Sequence, residues 1–234
     1  MATRWHAATD AAAQVQALAT SIASTLAHVI EDQGTACLAV SGGRSPIALF
    51  AALRVLPLRW ADVSITLVDE RAVPPDHADS NARLVREHLL QDAAAAARFF
   101  PLVLPLHVHG GSVDVDACVA TANAPFQQPD VVILGMGDDG HTASLFPDAP
   151  ELPDGVDRTK PPGYLPVRPG TAPHRRISLN LSALCAARRL FLSIAGPVKR
   201  AVFDTAAQDV AQPALPVGYV IHQREVPLDV YWTA

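Results

Sequence analysis

The sequence contains little cysteine, and the cysteines it has form no recognisable pattern. Cys37, Cys118 and Cys185 are odd in number, and none of them is part of a C-x-x-C pair. This spacing argues against a disulfide framework and against a zinc–thiolate site, and it favours a reducing compartment.

An excess of positive charge is absent too, and so is a long apolar run. The formal net charge of the 234 residues is −5, so the chain has no general attraction for nucleic acid or for an anionic membrane. No apolar run approaches the roughly 20 residues that span a bilayer, and no hydrophobic stretch followed by a cleavage site stands at the N-terminus. We therefore expect a soluble cytoplasmic protein in which a local cluster of donors binds any anionic ligand.

What the sequence does contain is a series of strands that alternate with helices. Apolar residues recur at helical spacing from Val15 to Ile30, and Gly34 follows where a C-terminal cap would lie. Strands are predicted at 35–40, 64–71, 130–135, 175–180 and 189–196, with helices at 46–53, 81–90 and 197–206 and an edge strand at 228–233. The alternation predicts an α/β fold, a mainly parallel sheet covered by helices on both faces, in one domain spanning residues 1–234.

Four polar or glycine-rich stretches directly follow predicted strands. They are SGGRS (41–45), DER (69–71), GMGDDGH (135–141) and GPVKR (196–200). Ligands of parallel α/β sheets gather outside the carboxyl ends of the strands. We therefore expect these four loops to form one ligand-binding rim.

The third of these stretches has the letter pattern of a dinucleotide fingerprint. Gly135, Gly137 and Gly140 spell G-x-G-x-x-G after an apolar run. A dinucleotide site also needs a long helix after the glycines and a second strand that ends in an acidic residue. Here Pro147 ends the predicted helix after barely two turns, and the following stretch is too rich in proline to form a buried strand. The sequence therefore disfavours a nicotinamide dehydrogenase.

His141 is the candidate general base. Imidazole titrates near neutral pH and can take a proton from water. The residue is predicted to begin a short helix, HTASLF (141–146), whose N-terminus would disfavour the protonated ring. Asp139, two residues earlier, could orient the ring or stabilise the imidazolium. The alternative is that His141 only caps the helix and Asp139 only shapes the turn.

SGGRS is the candidate phosphate loop. Backbone N–H groups of Gly42 and Gly43 and the hydroxyls of Ser41 and Ser45 could hold a phosphate where Pro46 begins a helix. The loop lacks the lysine and the spacing of a nucleotide P-loop, so a monophosphate fits it better. A plain strand-to-helix turn is the alternative.

Fixed positive charge is expected beside such a phosphate. Arg176, which enters a strand, and Lys199, in the first turn of a helix, are the leading candidates. The weaker candidates are Arg44, Arg71, Arg83 and Arg175.

Two other chemistries find little support. His107 and His109 alternate as in some metal sites, but no third ligand with characteristic spacing lies nearby, so a strand face with two histidines is favoured and no metal is expected. The sequence has no G-x-S-x-G elbow and no cysteine beside a histidine. Covalent nucleophilic catalysis is therefore unsupported.

The order of the motifs resembles that of a known family. AVSGGRSP, VDERAVPPDHADSNARL, ILGMGDDGHTASLFP, RRISLN and GPVKR follow one another as they do in 6-phosphogluconolactonases, between residues 37 and 203. The resemblance implies a Rossmann-like α/β fold shared with glucosamine-6-phosphate deaminases. It also implies hydrolysis of 6-phospho-D-glucono-1,5-lactone to 6-phosphogluconate in the oxidative pentose phosphate pathway, without metal or organic cofactor.

The same resemblance implies roles for individual residues. His141 matches the histidine regarded as the general base, Asp139 the acidic residue of the D-G-H motif, and Arg71 an arginine of the substrate pocket. The positions around the phosphate are matched by Gly42, Gly43, Arg176 and Lys199. The proline-rich segment 148–173 matches no motif.

The close rival is the deaminase branch of this fold. That branch resembles DEY where this chain has DER, and GHIAFNEPG where it has GHTASLFPD. Phe146 stands at the position of the deaminase glutamate, and a phenylalanine cannot take part in a proton relay. The lactonase interpretation is therefore favoured, and a non-catalytic sugar-phosphate sensor remains a second alternative. We expect a monomer that binds a small sugar-phosphate lactone and neither nucleic acid nor a membrane.

Overall fold

The computed structural model describes residues 3–43, 45–210 and 213–234. The strands in these ranges are β1 (Arg4–Ala7), β2 (Ala36–Val40), β3 (Val63–Leu67), β4 (Asp69–Arg71), β5 (Arg98–Phe100), β6 (Val108–His109), β7 (Ser112–Val113), β8 (Val131–Leu134), β9 (Tyr164–Val167), β10 (Arg176–Leu179), β11 (Arg189–Ala195) and β12 (Leu228–Thr233). The α-helices are α1 (Ala11–Gln33), α2 (Pro46–Leu53), α3 (Asn81–His88), α4 (Val115–Asn123), α5 (Leu152–Val156), α6 (Leu181–Cys185), α7 (Gly196–Gln208) and α8 (Pro216–His222).

A seven-stranded sheet forms the centre of the fold. Its order is β1-β12-β11-β8-β2-β3-β5, and every neighbouring pair is parallel. All residues of β2 and β8 are buried, as expected for strands that are covered on both faces. The chain runs from β2 towards β3 on one side and later returns to β8 on the other, so the order reverses between β2 and β8. Such a reversal opens a crevice at the carboxyl ends of the strands.

The helix predicted from the spacing of apolar residues is confirmed as α1. Asp10 accepts a hydrogen bond from the N–H of Ala13 at its start, and Gly34 ends it with a φ of 87° while its N–H donates to the carbonyl of Ile30. Ser80 caps α3 by accepting a hydrogen bond from the N–H of Arg83. Ser45 does take the position before Pro46 at the start of α2, but its side chain makes no capping hydrogen bond.

The single strand predicted at 64–71 is wrong, because two strands in different sheets cover this stretch. β3 ends at Leu67, and the N–H of Val68 still bonds to the carbonyl of Val40. β4 then pairs with β10, which pairs with β9, in a separate antiparallel sheet of three strands. The carbonyl of Val68 accepts from the N–H of Leu179 at this crossing, so the backbone changes partners within one residue.

The short helix predicted at 141–146 is also wrong. Ala143 has a φ of 52°, and an isolated bridge joins Thr142 to Leu145 in a tight turn. Side-chain hydrogen bonds hold this turn in place. The hydroxyl of Thr142 donates to the carbonyl of Gly135 over 2.9 Å, and the hydroxyl of Ser144 donates to Asp69 Oδ2 over 2.6 Å. His141 therefore does not begin a helix.

The end of the chain forms a strand as predicted, but that strand does not lie at the edge of the sheet. β12 runs between β11 and β1, and β1, for which no strand is predicted, forms the edge. The predicted fold class, a mainly parallel sheet surrounded by helices, is confirmed. In the described ranges, no helix is both long and apolar enough to cross a membrane.

Candidate active site

A cleft of about 610 Å³ opens at the carboxyl ends of β2, β3, β8 and β11. All four predicted loops contribute to it, so the predicted rim is confirmed as a common surface. Its polar and glycine lining includes Gln14, Ser41, Gly42, Gly43, Ser45, Asp69, Arg71, Asn81, Gly135, Gly137, His141, Ser193 and Lys199. The cleft lies where the strand order reverses between β2 and β8, so the topology of the parallel sheet itself creates the cleft.

The predicted phosphate loop forms one wall of this cleft. Gly43 has a φ of 94°, a backbone conformation that side chains disfavour. Gly42 lies so close to Asn81 that a Cβ placed there would be 1.8 Å from Asn81 Oδ1. The hydroxyl of Ser41 donates to the carbonyl of Ile133 over 2.9 Å, which ties the loop to β8. Arg44, predicted as part of the same loop, lies outside the described residues.

Arg71 and Arg176 face each other across β4 and β10. Arg71 lines the cleft, and its Nη1 donates to the backbone carbonyl of Asp79 over 2.6 Å. Arg176 is 7% exposed and is not among the residues that line the cleft. Burial lowers the pKa of its guanidinium, while the nearby Asp69 opposes that shift. Two positive charges therefore lie side by side near the cleft, one at its surface and one behind it.

Lys199 brings a third positive charge to the opposite side. It lies in the first turn of α7, directly after β11, and lines the cleft. Its Nζ donates to the backbone carbonyl of Met136. This contact holds the ammonium group beside the loop that carries His141. The structure thus brings Lys199 and the SGGRS loop to one cleft, as the sequence predicted.

Asp139 and His141 form a hydrogen-bonded pair at the end of β8. Asp139 Oδ1 lies 2.6 Å from His141 Nδ1, and the same oxygen accepts from the backbone N–H of His141 at 3.2 Å. Gly137 makes room for this pair, since a Cβ there would lie 2.2 Å from His141 Nδ1. The imidazole lines the cleft and is 31% exposed. With Nδ1 engaged by the carboxylate, Nε2 is the nitrogen that can exchange a proton with a ligand or water.

Sequence reasoning missed several polar residues of the cleft, of which Asp69 and Asn81 are hydrogen-bonded to each other. Asp69 is 8% exposed and accepts from the hydroxyl of Ser144, while Asn81 Nδ2 donates to the backbone carbonyl of Asp69 over 2.8 Å. Asn81 Oδ1 is buried and has no partner within the described residues. Asp69 lies in DER (69–71) and Asn81 in SNARL (80–84), and both stretches belong to one motif of the resemblance. Within that motif the resemblance assigns a role only to Arg71.

His107 and Cys118 form a buried pair outside the cleft, and His107 ends a 3-10 turn instead of sharing a strand face with the exposed His109, as the sequence predicted. Cys118 Sγ lies 3.1 Å from His107 Nδ1, and both residues are buried. Burial raises the pKa of the Cys118 thiol to about 12 and lowers the pKa of His107, so this pair is not poised as a nucleophile. In the part of the chain that the structure describes, no three His, Cys, Asp or Glu side chains are arranged to hold a metal.

Comparison with known proteins identifies the family. A family model described as glucosamine-6-phosphate isomerases/6-phosphogluconolactonase matches residues 9–232. The chain belongs to this family. Among curated relatives, the 6-phosphogluconolactonase of Neisseria meningitidis serogroup A is 44% identical over 232 residues, which cover 97% of this chain and 98% of that protein. The predicted resemblance is confirmed.

Solved structures agree with this assignment. A 6-phosphogluconolactonase from Shewanella baltica OS155 superposes with a TM-score of 0.89 at 39% identity, covering 99% of this chain and 98% of that one. A monomeric glucosamine-6-phosphate deaminase superposes with a TM-score of 0.74 at 15% identity, covering 97% of each chain. The second match shows the shared fold alone. The Shewanella protein, like the curated relatives, is named as a 6-phosphogluconolactonase.

Proposed function

We propose that this chain hydrolyses 6-phospho-D-glucono-1,5-lactone to 6-phospho-D-gluconate in the oxidative pentose phosphate pathway, with His141 as the general base. The names of the relatives bear out the predicted lactonase activity. The assignment of the base rests on one observation, the 2.6 Å contact between Asp139 Oδ1 and His141 Nδ1 at the cleft surface. A carboxylate at Nδ1 fixes the tautomer and leaves Nε2 able to accept a proton.

The proposed reaction begins with the phosphate. The N–H groups of Gly42 and Gly43, the hydroxyls of Ser41 and Ser45, and the ammonium of Lys199 bind the 6-phosphate, and Arg176 adds positive charge from behind Arg71. Holding this end of the substrate fixes the distance from the lactone carbonyl to His141.

The proposed chemical step needs only water and groups of this chain. His141 Nε2 takes one proton from water as the water oxygen attacks C1. Arg71, or a backbone N–H of the 137–141 loop, stabilises the negative charge that develops on the carbonyl oxygen. The bond between C1 and the ring oxygen then breaks, and the imidazolium returns its proton to that oxygen while Asp139 stabilises the charged ring.

A coupled assay tests this proposal, with glucose-6-phosphate dehydrogenase generating the lactone and its loss followed with and without the protein. His141→Ala should reduce the enzymatic rate by at least about 100-fold after the spontaneous reaction is subtracted. His109→Ala, at an exposed histidine outside the cleft, is the matched control and should retain the parent rate. Binding of 6-phosphogluconate without any acceleration would instead identify a sensor, and an active His141→Ala variant would refute the assignment of the base.

The phosphate role of Lys199 has a matched control within the chain. The sequence contains only two lysines, and Lys160 is exposed, paired with Asp154 and not part of the cleft lining. Lys199→Ala should raise KM by about tenfold or more with a smaller change in kcat, because it weakens binding of the substrate and of the transition state alike. Lys160→Ala should leave both constants unchanged. Equal effects of the two substitutions would contradict the phosphate role.

We also propose that the chain acts in the cytoplasm as a monomer. Cys37, Cys118 and Cys185 are free and buried, as suits a reducing compartment. Light scattering of the purified protein should give the mass of one chain, and the mass of a dimer would contradict the proposal.

A further inference from the structure

The ring of Phe146 stacks on the ring of His141. Their centroids are 4.2 Å apart and their planes differ by 27°. Phe146 is 5% exposed, so its ring is fixed among neighbours, whereas the imidazole opens to the cleft. The guanidinium of Arg176 also lies 5.9 Å from the centre of the Phe146 ring. One aromatic side chain therefore lies against both the proposed base and Arg176, the arginine proposed to add positive charge at the phosphate.

Phe146 does not belong to the main core of the protein. It packs with Ala149 and Val167 in a separate buried cluster, against which Leu165 and Ala172 also pack. Apart from Phe146 itself, every member of this minor core comes from the proline-rich segment 148–173. That segment matched no motif, yet it forms the surroundings of the ring that touches the base.

The minor core is anchored at both of its ends. β9, which supplies Leu165 and Val167, pairs along its length with β10 in the antiparallel sheet. Glu151 accepts from the backbone N–H and from Nε of Arg168, each over 3.0 Å, and so joins the two ends of the segment. Phe146 is thus held by a backbone framework that reaches back to the sheet of Arg71 and Arg176.

Two contacts of different kinds then restrain the imidazole. The hydrogen bond that Nδ1 donates to Asp139 fixes the position of this nitrogen, but the ring can still tilt about that contact. The flat face of Phe146 opposes this tilt, because stacked rings lose contact area when they are turned out of parallel. Fixing one atom and the plane of the ring fixes the direction of Nε2.

We propose that Phe146 is a positioning residue for His141. The proposal rests on the proposed role of His141 as the base. An error of about 1 Å in the placement of a reacting group can reduce a rate about 100-fold. Loss of the flat face should therefore act on kcat more than on KM.

The test compares Phe146→Leu with Phe146→Tyr. Leucine remains apolar and fills much of the space but has no flat face, whereas tyrosine retains the ring. We expect kcat to fall by about tenfold in Phe146→Leu with KM within about twofold of the parent, and to stay within about threefold of the parent in Phe146→Tyr. If Phe146→Leu does not fold, Phe146→Met replaces it and is judged by the same result.

Val167→Ala is the matched control for a purely structural role. It removes buried methyl groups from the same minor core but leaves the stacked ring in place. We expect it to lower the melting temperature at least as much as Phe146→Leu does, while kcat measured well below every melting temperature stays near the parent value. Parent-like kcat in Phe146→Leu, or kcat that falls in step with stability across the variants, would overturn the proposal.

The parent and His141→Ala proteins are measured in the same experiment. If the parent does not accelerate loss of the lactone, or if His141→Ala remains active, the proposed function or the proposed base fails. If the parent is active, His141→Ala is inactive and Phe146→Leu matches the parent, only the positioning role fails.

Discussion

At the scale of single residues, the missing side chain of Gly137 is as important as the side chains around it. A Cβ at this position would lie 2.2 Å from His141 Nδ1 and 2.4 Å from Asp139 Oδ1. Its φ is not positive, so the backbone itself would accept an L-residue there. The glycine is therefore required by the close approach of the Asp139–His141 pair, and not by a bound pyrophosphate.

This close approach predicts that Gly137→Ala displaces the proposed base. We expect kcat to fall by at least about tenfold, because the methyl group occupies the space of the hydrogen-bonded pair. Gly135→Ala is the matched control, since no atom lies within 4 Å of a Cβ built there and its φ is not positive either. Kinetic constants and melting temperatures of both variants check the prediction. Equal kcat values for the two would refute it.

The residues of the site were not all equally predictable. His141 and Asp139 stood out because a titratable side chain and a carboxylate follow a strand in a glycine-rich loop, and the resemblance agreed. Asn81 carried no such signal: asparagine does not titrate, and its contact with Gly42 joins positions far apart in the sequence. The stacking of Phe146 on His141 depends on the tight turn at 142–145, where the sequence predicts a helix.

At the scale of elements, the start of α3 is joined to the cleft through Glu70. Its Oε1 accepts from the N–H groups of Arg71 and Asn81, each over 2.8 Å, and its Oε2 accepts from the N–H of Ala82 over 2.7 Å and from the hydroxyl of Ser80 over 3.3 Å. One carboxylate thus accepts hydrogen bonds from N–H groups at the start of α3 and fixes the backbone of Arg71 and Asn81, both of which line the cleft.

The buried carboxyl of Glu70 predicts a pH dependence of stability. Burial raises its pKa from 4.5 to about 7, and the hydrogen bonds from Asn81, Ala82 and Arg71 only partly oppose this shift. From pH 4.5 to about pH 7 the folded state therefore keeps a proton that the unfolded state has released. The contribution of Glu70 to the free energy of unfolding falls as pH rises through this window, and it is constant above it.

Glu70→Gln removes this titratable group. The difference between parent and variant therefore isolates the contribution of Glu70, because the other groups titrate in both proteins. The free energy of unfolding of the parent minus that of the variant should decrease between pH 5 and pH 7 and then level off, as measured by urea unfolding at intervals of about one pH unit. Glu87→Gln removes an exposed negative charge from the same helix and serves as the control. A difference between parent and Glu70→Gln that rises with pH would contradict the prediction.

Elements that depend on local pattern were predictable, and those that depend on distant side chains were not. α1 follows from apolar spacing and its Gly34 cap, and β2 and β8 follow from short apolar runs. The turn after His141 follows from a hydrogen bond between Ser144 and Asp69, which are 75 residues apart. The periodicity of apolar residues indicates which side chains face the core, but it does not indicate which distant carboxylate will accept a hydrogen bond from a serine.

At the scale of the whole molecule, Asp229 connects the first and last strands. It is 5% exposed, lies on β12 and contacts Arg4 and His6 on β1 at 3.0 and 2.8 Å and Arg189 on β11 at 2.9 Å. None of these residues lines the cleft. The cluster therefore offers a way to change stability without touching the proposed site.

We expect Asp229→Asn to destabilise the protein by about 2 kcal/mol, since it leaves the partners of a buried carboxylate with less compensating charge. For a chain of this size the melting temperature should fall by about 4–8 °C. Asp204→Asn breaks the half-exposed pair between Asp204 and Arg200 and should cost no more than about 0.5 kcal/mol. Both variants should retain the parent kcat and KM, and a loss of activity in Asp229→Asn alone would show that the cluster is coupled to the cleft.

The same variant tests the proposal that residues 1–234 form one domain. Trp5 and Trp232 lie on β1 and β12 at one side of the seven-stranded sheet, whereas Trp60 precedes β3 near the other side. If the sheet unfolds as one unit, tryptophan fluorescence of a Trp60→Phe variant and far-ultraviolet circular dichroism should give the same midpoint, and Asp229→Asn should shift both by the same amount. Separate midpoints, or a shift confined to the fluorescence of Trp5 and Trp232, would mean that the β1 side unfolds independently and that the chain contains more than one cooperative unit.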